Sequence, residues 1–101
     1  KQHVILKTTT SDKEPRRLEI AKKYNIVLLL GDNLNDFDKE FYKKNVADRN
    51  AATDKMQSLF GTKYIVLPNS TYGDWENALW PDKRLNEEEK ARIKMQALKG
   101  F

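Results

Sequence analysis

Short apolar runs alternate with polar or amphipathic stretches along the chain. Val4 to Leu6 forms the first run, Ile26 to Leu30 the second and Tyr64 to Leu67 the third. The second run is an unbroken aliphatic stretch, which is typical of a strand covered on both faces, as in parallel sheets. The pattern therefore predicts three buried strands, each followed by a turn or loop.

A first helix is predicted after the first strand. Ser11 and Glu14 have the spacing of a capping box, and Pro15 suits a first helical turn. The inner face of this helix should then be formed by Leu18, Ala21 and Tyr24.

Two further helices are predicted later in the chain. One has apolar residues at helical spacing and a glycine at its end, namely Ala52, Met56, Leu59, Phe60 and Gly61. The last opens with a capping box at Asn86 and Glu89 and ends near Gly100. Strands that alternate with helices indicate an α/β fold with a parallel sheet, in which ligands bind beyond the carboxyl ends of the strands.

Composition excludes several functional classes. The 101 residues are 39% hydrophobic and 34% charged, which is typical of a soluble domain or part of one with a thin core. The formal charge of +4 comes from scattered Lys and Arg rather than from a basic stripe, so nucleic acid is not expected as a partner. The absence of cysteine excludes disulfides and thiolate chemistry but leaves the compartment open.

The start of the chain favours a processed, cut or partial protein. No apolar run approaches the roughly 20 residues that cross a bilayer, and no signal peptide is present in this sequence. The first residue is Lys1, and the first apolar run follows almost at once, with His3 as its edge residue. We therefore expect residues 1–101 to be one part of a single folded domain.

The segment Gly31 to Phe37 carries the sharpest chemical signal, because it places two carboxylates four positions apart directly after the most apolar strand. Mg²⁺ prefers one or two protein carboxylates and completes its shell with water and phosphate, so Asp32 is the better candidate ligand and Asp36 a direct or supporting partner. The alternative is that Asp and Asn simply favour turns, with Asp36 as a helix cap. A calcium loop of the EF-hand type fits the spacing poorly.

The sequence Asp36-Phe37-Asp38 has the Asp-x-Asp spacing of a nucleophile and general acid. It lies several residues beyond its strand, its middle residue is bulky, and Lys39 and Glu40 follow where a hydroxyl is expected. We therefore reject it as the nucleophilic pair.

Lys13 lies beside a helix start, where its ammonium and the free backbone N–H groups of the first turn could face an anion. Arg16 and Arg17 could assist. The alternative is that all three side chains are solvated surface groups.

The segment from Pro68 to Glu76 follows the third strand and holds aromatic residues. Tyr72 or Trp75 could stack on a flat ligand group, or could cover a small core. For Tyr72, both stacking on a ligand and a place in the core stay open, whereas Trp75 and Trp80 are expected in the core.

Several motifs in order resemble one family. These are Ser-x-Lys at Ser11 to Lys13, Gly-Asp-Asn-Leu-x-Asp-Phe at Gly31 to Phe37, Ala-Asp-Arg at Ala47 to Arg49, Phe-Gly-x-Lys-Tyr-Ile-Val-Leu-Pro-Asn at Phe60 to Asn69 and Tyr-Gly-x-Trp-Glu at Tyr72 to Glu76. Together they resemble the class C acid phosphatases, the lipoprotein e family of bacterial 5'-nucleotidases. One departure is Ser70, where many relatives have Pro.

The resemblance implies the carboxyl-terminal half of a Rossmann-like, three-layer core of the haloacid dehalogenase type. It implies hydrolysis of phosphomonoesters such as nucleoside monophosphates through an aspartyl-phosphate, with Mg²⁺ as cofactor. Lys13 would be the phosphate-neutralising lysine, Asp32 and Asp36 the metal carboxylates, and Tyr72 the aromatic that stacks on the nucleobase.

The same resemblance defines what these residues lack. The family's nucleophile and general acid lie in an earlier Asp-x-Asp-x-Thr strand that has no counterpart in this sequence. We therefore expect the 101 residues by themselves to be inactive and to need the amino-terminal half of the same protein as a partner.

The resemblance further implies a bacterial envelope or extracellular location, with membrane attachment only through a lipid-anchored segment outside this sequence, and it leaves a homo-oligomer open. The competing hypothesis is a non-catalytic module that binds a nucleotide or a protein.

Overall fold

The computed structural model describes residues 3–81 and 84–98. Within them lie two strands, β1 (Leu29–Gly31) and β2 (Tyr64–Val66), and four α-helices. The helices are α1 (Glu14–Ala21), α2 (Val46–Lys55), α3 (Asp74–Asn77) and α4 (Glu87–Ala97). Three short 3₁₀ helices span Leu34–Asp36, Lys39–Phe41 and Gln57–Leu59.

The two strands pair in parallel, as the alternation of strands and helices predicts. Leu29 lies opposite Tyr64 and Gly31 opposite Val66. Parallel strands need a long crossover, and here it contains α2 and all three 3₁₀ helices. Because the strands are parallel, the loops that follow them leave the same edge of the sheet.

A cluster of aromatic rings forms the core between the sheet and the crossover. Phe37 and Phe41 are fully buried. The ring of Phe37 stacks on that of Tyr64 with centroids 5.1 Å apart, and Phe60 meets both in edge-to-face geometry. Offset and edge-to-face pairs are the arrangements that the ring quadrupole favours, so the packing fixes the loop after β1 against β2. The core is as thin as the composition predicts.

The prediction of a first buried strand at Val4 to Leu6 is wrong for this structure. The segment is irregular, and all three apolar side chains are exposed, as is His3. A strand requires a hydrogen-bonding neighbour, and within the described residues the ladder contains only β1 and β2.

The second strand is shorter and less covered than its sequence suggests. It begins at Leu29 rather than Ile26, and Val27, Leu28 and Leu30 are exposed. An unbroken aliphatic run predicts cover on both faces, but the described residues supply packing on one side only. The third predicted strand is confirmed as β2, one residue shorter than expected.

The first helix forms where Pro15 predicts, but its cap and its inner face differ from expectation. Asp12, not Ser11, accepts from the backbone N–H of Glu14, at 2.9 Å. The apolar side chains predicted to form an inner face, Leu18, Ala21 and Tyr24, are exposed, because no other described element packs over them.

The later helices follow their local signals only in part. The helix predicted to carry Ala52, Met56, Leu59 and Phe60 is interrupted, because α2 ends at Lys55 and a 3₁₀ helix follows at Gln57–Leu59. Gly61 has φ +80°, but its N–H donates to the carbonyl oxygen of Tyr64 at 3.0 Å, so it forms the turn before β2 and does not cap the helix as predicted. Asn86 and Glu89 form the predicted capping box of α4, whereas Gly100 lies outside the described residues. No helix among the described residues is long and apolar enough to cross a membrane.

The tryptophans are only partly in the core. Trp80 is half-buried, but Trp75 is 43% exposed, so the prediction of a core position for Trp75 is wrong. The exposed surface of Trp75 is consistent with the thin core, which leaves no second layer to cover it.

Candidate functional site

The loop after β1 depends on the missing side chain of Gly31. A Cβ at this position would lie 2.8 Å from Cγ of Asp36, too close for any real contact. Glycine therefore lets Asp36 fold back beneath the end of the strand. There the second carboxylate oxygen of Asp36 accepts from the N–H of Asn33 at 3.3 Å, so Asp36 does serve in a capping box.

Lys13 and Asp36 form an ion pair although 23 positions separate them. The Asp36 side chain is only 10% exposed, whereas that of Lys13 is 49% exposed. Lys13 precedes α1 and Asp36 ends the 3₁₀ helix after β1, so the pair joins the two segments. The structure thus brings together two of the residues that the sequence singled out, with an ammonium beside a buried carboxylate.

Arg17 fixes the geometry of this contact from α1. Its guanidinium donates to the carbonyl oxygens of Asn35 and Asp36, at 3.2 and 2.9 Å, and pairs with Glu14. The side chain is 12% exposed, so the reading of Arg17 as a solvated group is wrong. Arg17 holds the backbone of the loop rather than facing a ligand.

Asp32 is exposed and is joined to the loop that follows β2. One of its carboxylate oxygens accepts from the side-chain amide of Asn69 at 2.8 Å. The amide oxygen of Asn69 in turn accepts from the backbone N–H groups of Thr71 and Tyr72, at 3.0 and 3.4 Å. Sequence reasoning missed Asn69, although its position just past the carboxyl end of β2 is a signal that points to it.

Tyr72 lies beside Asp32 and is 68% exposed. Both residues line a depression of about 330 Å³, together with Asn33, Gly73 and residues of α3. The exposed ring rules out a core position for Tyr72 among the described residues. It is available to a ligand that enters next to Asp32.

The four candidate residues form two pairs rather than one cluster. Lys13 contacts Asp36, and Asp32 shares the depression with Tyr72, but no hydrogen bond or ion pair among the described residues joins the pairs. Residues 3–81 and 84–98 contain no group of three or more His, Cys, Asp or Glu that could hold a metal by itself.

The oxygen atoms near Asp32 nevertheless have the chemistry that Mg²⁺ requires. In the sequence, Asp32 and Asp36 lie on either side of Asn35, whose buried side-chain oxygen has no hydrogen-bond partner among the described residues. Both oxygens of Asp36 already have partners, Lys13 and the N–H of Asn33. Asp32 has a partner on one oxygen only, which makes it the better direct ligand.

Comparison with known proteins identifies the family. A sequence model of the HAD superfamily, subfamily IIIB (acid phosphatase), matches residues 1–75. The structure of the class C acid phosphatase from Bacillus anthracis is 40% identical over the whole chain, with a TM-score of 0.89. The structure of the class C acid phosphatase from the same organism with tungstate bound is 41% identical, with a TM-score of 0.90. The chain spans 43% of the length of each. The family resemblance and the α/β fold are thus confirmed, and the chain belongs to the acid phosphatases of HAD subfamily IIIB.

Proposed function

We propose that the whole protein, meaning this chain with any sequence that adjoins it, is a phosphoric monoester hydrolase that requires Mg²⁺. The observation that carries the proposal is the contact between Lys13 and Asp36 at the carboxyl end of β1, next to Asp32. Membership of the acid phosphatase family supports it. This chain would supply the metal carboxylate and the lysine that offsets phosphate charge.

Mg²⁺ would be held by Asp32, with Asp36 as the supporting carboxylate. The ion, when bound, supplies positive charge that stabilises a phosphoryl group in transfer. Asn69 orients the Asp32 carboxylate through its side-chain amide. Orientation of a ligand by a hydrogen-bonded neighbour is a general feature of metal sites, so Asn69 belongs to the proposed machinery.

Lys13 would share its positive charge between Asp36 and a substrate phosphate. Its side chain is half exposed, so it can reach a ligand while the buried carboxylate holds its position. Preorganised charges of this kind need no rearrangement during reaction. The relative with tungstate bound supports an oxyanion site in the family, since tungstate is a tetrahedral oxyanion like phosphate.

Tyr72 would stack on a flat group of the substrate, such as the base of a nucleoside monophosphate. The exposed ring lies on the same depression as Asp32. A ligand with its phosphate near Asp32 could therefore reach the ring with its other end.

The attacking group must come from outside these residues. The reaction is proposed to pass through an aspartyl-phosphate, and the required Asp-x-Asp-x-Thr motif is absent from the 101 residues. We expect the chain by itself to be inactive, and to require the amino-terminal half for turnover. A bacterial envelope or extracellular location is part of the same proposal.

The test measures hydrolysis of p-nitrophenyl phosphate and of a nucleoside monophosphate by the whole protein. Activity should vanish with EDTA and return with Mg²⁺. Asp32→Asn should lower kcat/KM at least about 100-fold and weaken the response to Mg²⁺. The matched control is Asp54→Asn, at an exposed position on α2, which should leave both unchanged.

Two outcomes would contradict the proposal. One is full activity in Asp32→Asn at limiting Mg²⁺. The other is phosphatase activity from the 101 residues by themselves, because that would require a nucleophile that we have not found.

A further inference from the structure

A cavity of about 590 Å³ surrounds a buried arginine, and its volume is within the range of small-molecule sites. Arg49 on α2 lines it and is only 6% exposed. Trp80 and Pro81 provide an apolar wall, and the hydroxyl groups of Ser11 and Tyr42 meet at 3.3 Å on the cavity lining.

The guanidinium of Arg49 has unused hydrogen-bonding capacity. Within the part of the chain that the structure describes, it makes one hydrogen bond, from a terminal nitrogen to the carbonyl oxygen of Phe41 at 3.3 Å. It forms no ion pair there, although Asp74 lies close enough to act on it electrostatically. Burial lowers the pKa of Arg49, and Asp74 has the opposite effect. A guanidinium stays protonated even so, and its fork holds five N–H donors.

Burying a guanidinium without an ion-pair partner costs folding free energy. The side chains that line the cavity do not supply the missing negative charge. Its lining carries four cationic residues and two acidic ones, which are Lys43, Lys44, Arg49, Lys90, Asp48 and Asp74. The Asp48 carboxylate also accepts from the side-chain amide of Asn45 at 3.1 Å. An anion in the cavity would meet the charge of Arg49 and accept its remaining N–H groups.

We propose that the cavity around Arg49 is a further anion-binding site, which takes the phosphate group of a small phosphorylated molecule. Arg49 is suited to this role because its planar fork matches the oxygens of a tetrahedral oxyanion. Lys90 lines the cavity from α4, and its ammonium pairs with the exposed carboxylate of Glu87 at 2.6 Å, so it can add a second charge if an anion replaces that partner. Asp74 and Asn77 line both this cavity and the depression next to Asp32, so the two are adjacent.

The test is a titration of the ¹⁵N-labelled whole protein with inorganic phosphate, followed by NMR. Saturable shifts are expected in the side-chain Nε–H of Arg49 and in the backbone amides of residues 43–45 and 90. Arg49→Lys should weaken phosphate binding about tenfold, since it keeps the charge but loses the fork. Lys90→Gln should weaken it about threefold.

Two controls separate this site from the candidate active site. Lys22→Gln removes an exposed lysine that pairs with Glu19 on α1, and it should leave the phosphate affinity unchanged. The response around Arg49 should also persist in Lys13→Gln, even where that variant has lost activity.

Three results would overturn the proposal. The first is a response confined to residues around Lys13 and Asp32. The second is a linear, non-saturating response at Arg49, as expected if a carboxylate from adjoining sequence already fills the cavity or if phosphate binds there only adventitiously. The third is an unchanged affinity in Lys90→Gln and in Lys44→Gln, two variants that do not depend on a substitution in the core.

Discussion

Asp36 shows how much one side chain must do in this site. One carboxylate oxygen pairs with the ammonium of Lys13, and the other accepts from the N–H of Asn33. Its backbone carbonyl oxygen accepts from the guanidinium of Arg17. Since the carboxylate is nearly buried, each of these contacts is made in surroundings that strengthen it. Asp36 therefore positions the loop and Lys13 together, and its loss should be felt through both.

A double-mutant cycle tests the coupling between Lys13 and Asp36. In the whole protein, Lys13→Gln should lower kcat/KM by about 100-fold, because a charge that faces the phosphate is lost. Asp36→Asn should cause a loss of similar size, because Lys13 loses its anchor. The double variant should fall short of the product of the two losses by about tenfold or more, as expected of residues in contact. Losses that multiply would show that the ion pair has no role in activity.

Two glycine substitutions distinguish the effect of a steric clash with Asp36 from the effect of backbone strain. Gly31→Ala forces the side chain of Asp36 to move, since a Cβ would lie 2.8 Å from its Cγ. It should therefore abolish most activity and weaken Mg²⁺ binding, measured by calorimetry. Gly61→Ala has open space but a φ of +80°, so it should cost about 1 kcal/mol of unfolding free energy and leave Mg²⁺ affinity intact. Equal Mg²⁺ affinities in the two variants would contradict this account.

At the scale of elements, local signals predicted more than long-range ones, but not everything. The capping box at Asn86 and Glu89 acts within three residues, so sequence alone predicts it. The box predicted at Ser11 and Glu14 was wrong by one residue, because Asp12 accepts from the N–H of Glu14 instead. A strand at Val4 to Leu6 depends on a neighbour in the sheet, which no local pattern supplies. The prediction of an inner face on α1 was wrong for the same reason, because no other described element packs over it.

The residues of the candidate site show the same contrast between local and long-range signals. Asp32 and Asp36 could be predicted as candidates because polar residues just past a strand face the ligand-binding edge of a parallel sheet. Lys13 could be predicted because it lies beside a helix start. The roles of Arg17 and Asn69 could not, because they depend on contacts across 19 and 37 positions. Pairing between Lys13 and Asp36, rather than between the two carboxylates, also required the folded chain.

The capping box of α4 should control the order of that helix. No residue of α4 is buried, so its stability depends on its ends and on exposed pairs such as Lys90 with Glu87. Asn86→Ala removes the acceptor for the N–H of Glu89 and should cost about 1 kcal/mol. Hydrogen exchange in α4 should accelerate about fivefold, without change in the core. Asn50→Ala, at an exposed position within α2, is the control and should not accelerate exchange in α4.

At the scale of the whole molecule, the chain is more extended than a self-contained domain. Its radius of gyration is 15.7 Å, compared with about 13 Å for a compact domain of 100 residues. Large apolar side chains are exposed along one stretch of β1 and the residues before it, at Val27, Leu28 and Leu30. We expect this exposed apolar surface to contact further protein in the whole molecule. The longer chains of the related structures provide enough sequence to cover it.

A charged substitution in this apolar surface should therefore lower dye binding by the 101 residues but lower the stability of the whole protein. Leu30 is 60% exposed in this structure. Leu30→Lys should reduce binding of the dye ANS by the 101 residues, because it breaks the exposed apolar surface. In the whole protein it should destabilise the fold by about 3 kcal/mol or more, since the ammonium would be buried without a partner. Met95→Lys, at an exposed position of α4, is the matched control and should leave the stability of the whole protein within about 0.5 kcal/mol. Urea unfolding of both variants provides the measurement, and an equally stable Leu30→Lys protein would show that this face of β1 remains open to solvent.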